Sequence, residues 1–339
     1  MQPLLAVPGG LLIALALVDA LVTTLAAATP AGPVTARVAR RLSGAARWVA
    51  GRVSWARTGV GPVVLLVTVA TWIGMLWAGW WLVLLADDGA VVHASDGAPA
   101  SAWSRLYFAA YTLFTLGNGE FVPATDPWRV TTGVATVLGL ALVTTAITYL
   151  VPVVTAVTDR HTQAERIAGL GNSAQEILVR AWGANGFDEL AQQVQDLAGS
   201  IALTSQRHLV YPVLHFFHGR DRAAAFAVNV AALDEAVTML ETAVVEGRRP
   251  HPLHLGAWRH AVHRLLEVIE GDFGGPADVP PSDPDLGPLR DAGIPLLPDA
   301  EVADGLAVLE THRRRLHGFV TESGWPWSAV SVTNEHPGS

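Results

Sequence analysis

The sequence predicts an all-α membrane protein: three transmembrane helices with a short re-entrant segment between the second and third, and a helical bundle outside the bilayer. Three observations carry this expectation. Of 339 residues, 51% are hydrophobic and the mean hydropathy is positive, too apolar for one soluble domain and too polar for a chain lying wholly in lipid. Residues 4–28, 61–86 and 128–157 are apolar stretches long enough to cross a bilayer. After residue 158 the apolar positions fall on one face at helical spacing, as Leu190, Val194, Leu197 and Ile201 do.

The first apolar stretch lacks a basic leader and carries Asp19 in its middle. Both features favour a retained helix over a cleaved signal, although Ala26-Ala27-Ala28 resembles a cleavage site. A carboxylate facing lipid is costly, so Asp19 is expected to face protein or water. It reads as a structural hydrogen bond to a neighbouring helix or, alternatively, as a part of an ion path. Residues 36–57 then hold six arginines and no acid, with Val38, Leu42, Ala45, Val49 and Val53 at three-to-four spacing. This is the pattern of a basic amphipathic helix on a membrane surface, and arginine excess beside spans marks the cytoplasmic side. A plain basic connector is the alternative, as is a helix that transmits gating movement.

In the second stretch Trp72, Trp77, Trp80 and Trp81 crowd toward the far end, which places that end at the outer headgroups. Asp87-Asp88 and the Gly/Ala/Ser-rich run up to Ser101 read as an exposed acidic loop. The third stretch contains Gly133, Gly139 and Pro152. The proline is expected to kink the helix near its inner end, and Gly139 reads equally as hinge or packing contact.

Between these spans lie residues 102–114, which read as a short helix, and then Thr115-Leu116-Gly117-Asn118-Gly119-Glu120. Glycine reaches positive φ at little steric cost, so such a run can turn successive carbonyls to one side. Four copies around an axis would present rings of oxygens that replace the water shell of an alkali cation. The C-terminal end of the short helix would aim its partial negative charge at the ion path. One strand cannot surround an ion, so fourfold assembly follows from this mechanism. The carbonyls of Thr115, Leu116, Gly117 and Asn118, the Thr115 hydroxyl and the flexible Gly119 are the filter candidates. Glu120, Asp87, Asp88 and Asp126 would raise the cation concentration at the outer mouth. Alternatively, Glu120 anchors the filter from behind by bonding Tyr107 or Tyr111.

The run Thr-Leu-Gly-Asn-Gly-Glu resembles the Thr-Val-Gly-Tyr-Gly-Asp filter of the potassium-channel superfamily. The likeness extends over about residues 60–157, through the helical run ahead of the filter, Pro123 after it and Trp128-Arg129. Asn118 stands where the family has an aromatic residue, Glu120 where it has Asp, and Tyr107-Phe108 where many members carry a Trp pair. The resemblance implies a two-helix-plus-pore-loop unit with an extra N-terminal transmembrane helix. It also implies a homotetramer in the bilayer of a bacterial inner membrane, potassium ions as the permeant species, and Gly139 and Pro152 as hinge or gate. A channel passing sodium and potassium alike, and a nonconducting membrane-anchored sensor or scaffold, stand as alternatives. The N-terminus is expected outside and the C-terminal half in the cytoplasm.

Five segments follow: residues 1–34, an N-terminal transmembrane helix; 35–58, a basic surface helix; 59–157, a pore domain; 158–322, a cytoplasmic helical domain; and 323–339, a flexible tail. Helical patterns occupy residues 173–182, 187–217, 221–246, 255–271 and 300–321, with Asp221 and Asp299 as N-caps or near-caps and residues 271–298 as a Pro/Gly-rich loop. Four or five antiparallel helices would account for them. His208, His215 and His218 could share one helix face, although Pro212 interrupts it. They are packing residues, weak metal candidates or pH sensors; no strict metal signature accompanies them. With no cysteine there is no disulfide or thiolate site. A net charge of −8 disfavours nucleic acid, and no phosphate loop, dinucleotide fingerprint or Gly-x-Ser-x-Gly elbow points to an enzyme or a resident cofactor. The C-terminal domain's ligand or partner is not legible from these patterns.

Overall fold

The computed structural model describes residues 3–25, 32–50, 56–217, 219, 221–273 and 275–331. The chain divides into two compact units, residues 1–54 with 62–154, and residues 55–61 with 155–339. The first unit holds helices α1 (Ala6–Leu25), α2 (Pro33–Ala50), most of α3 (Ala56–Leu85) and α4 (Ala102–Leu113), together with strands β1 (Val91–His93) and β2 (Phe121–Pro123). Helix α5 (Asp126–Ala168) begins in it and continues into the second unit. Three of these helices, α1, α3 and α5, are long and apolar enough to span a membrane. At 43 residues α5 is about 65 Å long, roughly twice the hydrocarbon thickness.

Close backbone approach sets the first unit. A Cβ on Gly9 would lie 2.7 Å from the Gly79 carbonyl oxygen, so only glycine lets α1 cross α3 there. Asp19, fully buried, fixes the next element. Its carboxylate accepts from the backbone N–H of Val34 at 2.7 Å, from the N–H and hydroxyl of Thr35 at 3.1 and 2.6 Å, and from the Trp72 indole at 2.8 Å. Thr23 Oγ1 takes the Gly32 N–H at 3.0 Å. A carboxylate thus satisfies the otherwise orphaned amides at the N-terminus of α2 and complements its dipole. Asp19 is the structural hydrogen-bonding residue among the two readings. Trp72 departs from the expected interfacial belt: it is fully buried and serves as one of the donors to Asp19. Arg37, Arg40 and Arg41 are exposed on α2; Arg52 lies outside the described residues.

The acidic outer loop contains order that its Gly/Ala/Ser composition concealed. Strand β1 pairs antiparallel with β2 in the register Val91 to Pro123, Val92 to Val122 and His93 to Phe121. Ala90, Val91 and Ala100 are buried beneath it.

The second unit contains α6 (Ala174–Ala181), α7 (Asp188–Val210), α8 (Phe226–Thr242), α9 (Pro252–Phe273), the short α10 (Gly287–Asp291), α11 (Asp299–Val308) and α12 (Glu310–Glu322). Helix α8 is buried on every face rather than on one stripe. The unit is therefore a helix wrapped by the others rather than a simple antiparallel ring. That arrangement buries two adjacent acids. Asp234 accepts from Trp258 Nε1 at 2.9 Å and Arg259 Nη1 at 2.6 Å, and pairs with His312 Nε2 at 2.7 Å. Glu235 accepts from Arg313 Nη2 at 2.8 Å.

Several local expectations change. Helix α8 starts at Phe226, not Asp221, because Asn229 turns back to accept from Arg222 Nη1 and donate to the Arg222, Ala223 and Ala225 carbonyls. Asp299, expected as a cap or near-cap, is the first residue of α11, next to its cap Pro298. Pro212 ends the helix of residues 187–217 at Val210, and a 3-10 turn, Pro212–Phe216, follows. Residues 271–298 are not loop throughout, since α10 and a bridge from Val244 to Leu296 lie within them. The start of the expected loose tail packs down: Trp327 and Val330 are buried, and Ser331 exchanges hydrogen bonds with Gln175. Residues 332–339 lie outside the described set.

Arg259 and His312 hold the Asp234 carboxyl down at about 2 despite the opposing effect of burial. A depressed carboxylate stabilises the fold above its unfolded pKa, near 4, and that contribution is lost as pH falls through about 2. Asp234→Asn is expected to cost roughly 2 kcal/mol at neutral pH. In thermal melts of the detergent-solubilised chain, the gap between wild type and variant should narrow from pH 4 to pH 2; a gap that stays constant refutes the assignment.

Candidate ion-conduction site

The loop after α4 is built from the helix outward. Ser101 Oγ accepts the Ser104 N–H at 3.1 Å and starts the helix. At the other end, the Thr115 N–H bonds the Thr112 carbonyl at 3.3 Å and the Leu116 N–H bonds the Tyr111 carbonyl at 2.8 Å. These are the paired bonds of a Schellman termination, in which the left-handed residue is usually glycine. Here it is Thr115, with φ +55°, the one non-glycine residue at positive φ among the described residues. A β-branched residue in that conformation costs about 1–2 kcal/mol, a strain typical of functional loops.

Gly117 and Gly119 continue the pattern with φ of +61° and +78°. Left-handed backbone thus recurs at 115, 117 and 119 and is absent at 116, 118 and 120. In an ordinary strand successive carbonyls point to opposite sides; reversing the sense at alternate residues turns them to the same side. Three of the sequence-derived filter candidates, Thr115, Gly117 and Gly119, thus have left-handed backbone.

The loop is tethered from behind. Asn118 Nδ2 donates to the Tyr107 hydroxyl at 2.7 Å, so Asn118 ties the loop to α4. The Tyr111 hydroxyl donates to the Phe121 carbonyl. Tyr107, Phe108 and Tyr111 make edge contacts with ring centroids 5.1–5.3 Å apart, and Phe121 stacks at a tilt on His93 at 4.6 Å. Glu120 uses its main chain, accepting from the Ala94 N–H at 2.9 Å. Its carboxylate is exposed and bonds neither tyrosine: the Tyr111 hydroxyl donates to the Phe121 carbonyl and the Tyr107 hydroxyl accepts from Asn118.

The other proposed mouth acids have partners that alter their roles. Asp87 accepts from Trp128 Nε1 at 2.8 Å and from the Gly89 N–H at 3.0 Å, which joins the end of α3 to the start of α5 and keeps its carboxyl below the usual range. Asp88 is exposed and 3.5 Å from Arg105; Asp126 is exposed and 2.9 Å from Arg129. Asp87 is a structural tie. Like Asp87, Glu120 has no basic side chain in ion-pair range among the described residues, and unlike Asp87 its carboxylate is exposed and makes none of the structural hydrogen bonds that tie Asp87 down.

Three anchors of the short helix went unread in the sequence. Arg105, 5% exposed, donates to the Asp88 carbonyl at 2.9 Å and to the Leu84 carbonyl at 3.4 Å, closing the end of α3 over α4. Trp77 and Trp81 donate to the Leu106 and Ala102 carbonyls, both at 2.9 Å. The available signal was the lone Arg105 in an apolar helix at membrane depth, which demands nearby acceptors.

Gly139 lies where a Cβ would come within 2.2 Å of the Leu113 carbonyl oxygen, so it is a close-packing position between α5 and the end of α4. Pro152 lies inside α5, which continues past it to Ala168. His208 and His215 come together despite Pro212, ring centroids 6.3 Å apart; His218 lies outside the described residues. No group of three metal-ligating side chains converges among the described residues.

Three helices long and apolar enough to span a membrane, with a loop of alternating positive φ before the last of them, make this an all-α membrane protein. Residues 63–156 match the family model described as an ion channel, which supports a place near the potassium-channel superfamily. Over 332 residues, 97% of each chain, the sequence is 29% identical to the uncharacterized membrane protein YdjJ of Bacillus subtilis (strain 168), a match that takes in the helical unit as well. No solved structure matches.

Gly139→Ala is expected to destabilise the detergent-solubilised protein by about 1–3 kcal/mol, whereas Gly133→Ala, with open space around it, should be close to neutral. Equal melting shifts for the two would contradict the packing role. Tyr107→Phe and Asn118→Ala should show a coupling of about 1 kcal/mol in a double-mutant melting cycle, and strict additivity would remove the tether.

Proposed function

We propose that this chain is one subunit of a homotetrameric cation channel that passes potassium between the carbonyl oxygens of Thr115, Leu116, Gly117 and Asn118. The observation that carries the reading is the left-handed backbone at 115, 117 and 119 directly after the C-terminus of α4. The helix end supplies partial negative charge, and the carbonyls supply a replacement hydration shell. Assembly around an axis is supported by what the single chain leaves uncovered: Leu116 is 67% and Phe114 44% exposed beside the filter. Glu120, at the loop's exit, is the acid available to concentrate cations. The N-terminus lies outside a bacterial inner membrane, α2 faces the cytoplasm with its arginines, and the helical unit is cytoplasmic.

A sodium-and-potassium channel is the second reading, favoured by one specific observation. A single Asn118 to Tyr107 hydrogen bond replaces the packed aromatic support expected at that position.

Reconstituted in liposomes, the protein should carry potassium flux that Gly117→Ala, forced out of φ +61°, reduces at least about tenfold. Equal background flux in both proteins would leave a nonconducting scaffold. With potassium on one side of a planar bilayer and sodium on the other, a reversal potential near the potassium limit supports selectivity. One near zero favours the mixed-cation channel.

A further inference from the structure

The helical unit contains a cavity with no part in the filter. It is lined by Arg160 and His161 of α5, His208 of α7, His215 of the 3-10 turn, Glu322 at the end of α12, and the start of α8. Its interior volume is about 30 Å³, and it opens to solvent. Three independent features of this cavity suit the same kind of ligand.

The first is Arg160. Its Nη1 donates to the Leu214 carbonyl at 2.6 Å, and its guanidinium lies 4.8 Å over the Phe226 ring. Among the described residues no carboxylate lies within ion-pair distance of it, although other arginines of the unit, at 207, 259, 290, 313 and 315, each have one. A guanidinium has five donors in a planar fork, and a partly desolvated one without an anion is costly. The second is the histidine set. His208 is 3% exposed and its ring is 6.3 Å from that of His215; burial, Arg160 and His215 together push its imidazolium well down. Among the described residues, the lining holds one guanidinium and three imidazoles, His161, His208 and His215, beside one carboxylate, Glu322. The third is the N-terminus of α8, a helix of 17 residues preceded by Ala225, which supplies no side-chain cap. Ala225, Phe226 and Ala227 line the cavity, which brings the amides a helix leaves without intrahelical partners to its wall.

We propose that this cavity is a binding site for a phosphate group, held by the Arg160 fork, the histidine N–H donors and the open N-terminus of α8. The same chemistry is offered by a free phosphate or phosphomonoester and by a phospholipid headgroup. Arg160 lies near the C-terminal end of α5, so an occupant would bear on that part of the helix.

The test uses the full-length protein. In detergent, melting is followed against inorganic phosphate, with chloride at matched ionic strength as the reference. In phosphate-free buffer, melting is compared in nanodiscs of phosphatidylcholine with and without phosphatidylglycerol. A phosphate-dependent rise in detergent that weakens about tenfold in Arg160→Met, and partly returns in Arg160→Lys, identifies a free-anion site. A rise with phosphatidylglycerol alone, equally lost in Arg160→Met, identifies the headgroup. No stabilisation by either, or the same stabilisation in Arg160→Met, overturns the proposal. Should Arg160→Met fail to fold, the readout moves to His161→Gln/His215→Gln, where an unchanged apparent affinity for phosphate or for phosphatidylglycerol overturns it as well.

Discussion

The alternating handedness of residues 115–119 is the constraint on which the rest of the membrane unit depends. A peptide chain of ordinary residues points its carbonyls to opposite sides, and nothing in side-chain chemistry can correct that. Two glycines and one strained threonine achieve the reversal at 115, 117 and 119, and the strain has to be held by the surroundings. Much of the packing of this unit can be read as that restraint. The Schellman bonds fix Thr115 and Leu116 to the end of α4, Asn118 and Tyr111 join the loop to the helix behind it, and β2 pairs the chain with β1 as soon as it leaves the loop.

Helix α4 is itself held at both ends and along one side. Arg105 and two tryptophan indoles bind it to α3 through donors aimed at carbonyls, and Gly139 lets α5 close on its last turn. These contacts give protein partners to the main-chain carbonyls around the short helix, at Leu84, Asp88, Ala102 and Leu106. Asp19 plays the corresponding part at α2: one buried carboxylate joins α1, α2 and α3. The helical unit uses charge differently. There α8 is surrounded, and its acids Asp234, Glu235 and Glu241 are matched by Arg259, Arg313 and His312 from the helices around it.

Much of this was legible in the sequence because it depends on local features. Span lengths, the glycine spacing of the loop, the arginine run and the buried role of Asp19 follow from composition and spacing alone. The residues that escaped notice act over long separations. Trp72 sits 53 positions from Asp19, and Trp128 sits 41 from Asp87; a tryptophan that donates to a carboxylate looks, in sequence, like one seated at the headgroups. Asp87 looked like a free mouth charge for the same reason. Helix α8 began late because the Asn229 side chain bonds three upstream carbonyls, a geometry that caps nothing recognisable in the Asp221 region. Strands β1 and β2 are three residues each, too short for alternation to register.

The most direct measurement is thallium anomalous scattering from crystals of the detergent-solubilised protein. The expected result is a column of thallium peaks on a fourfold axis, each ringed by carbonyl oxygens from residues 115–118 of four chains. A well-ordered assembly of one or two chains, or a tetramer whose axis carries no thallium beside those residues, would contradict the central claim.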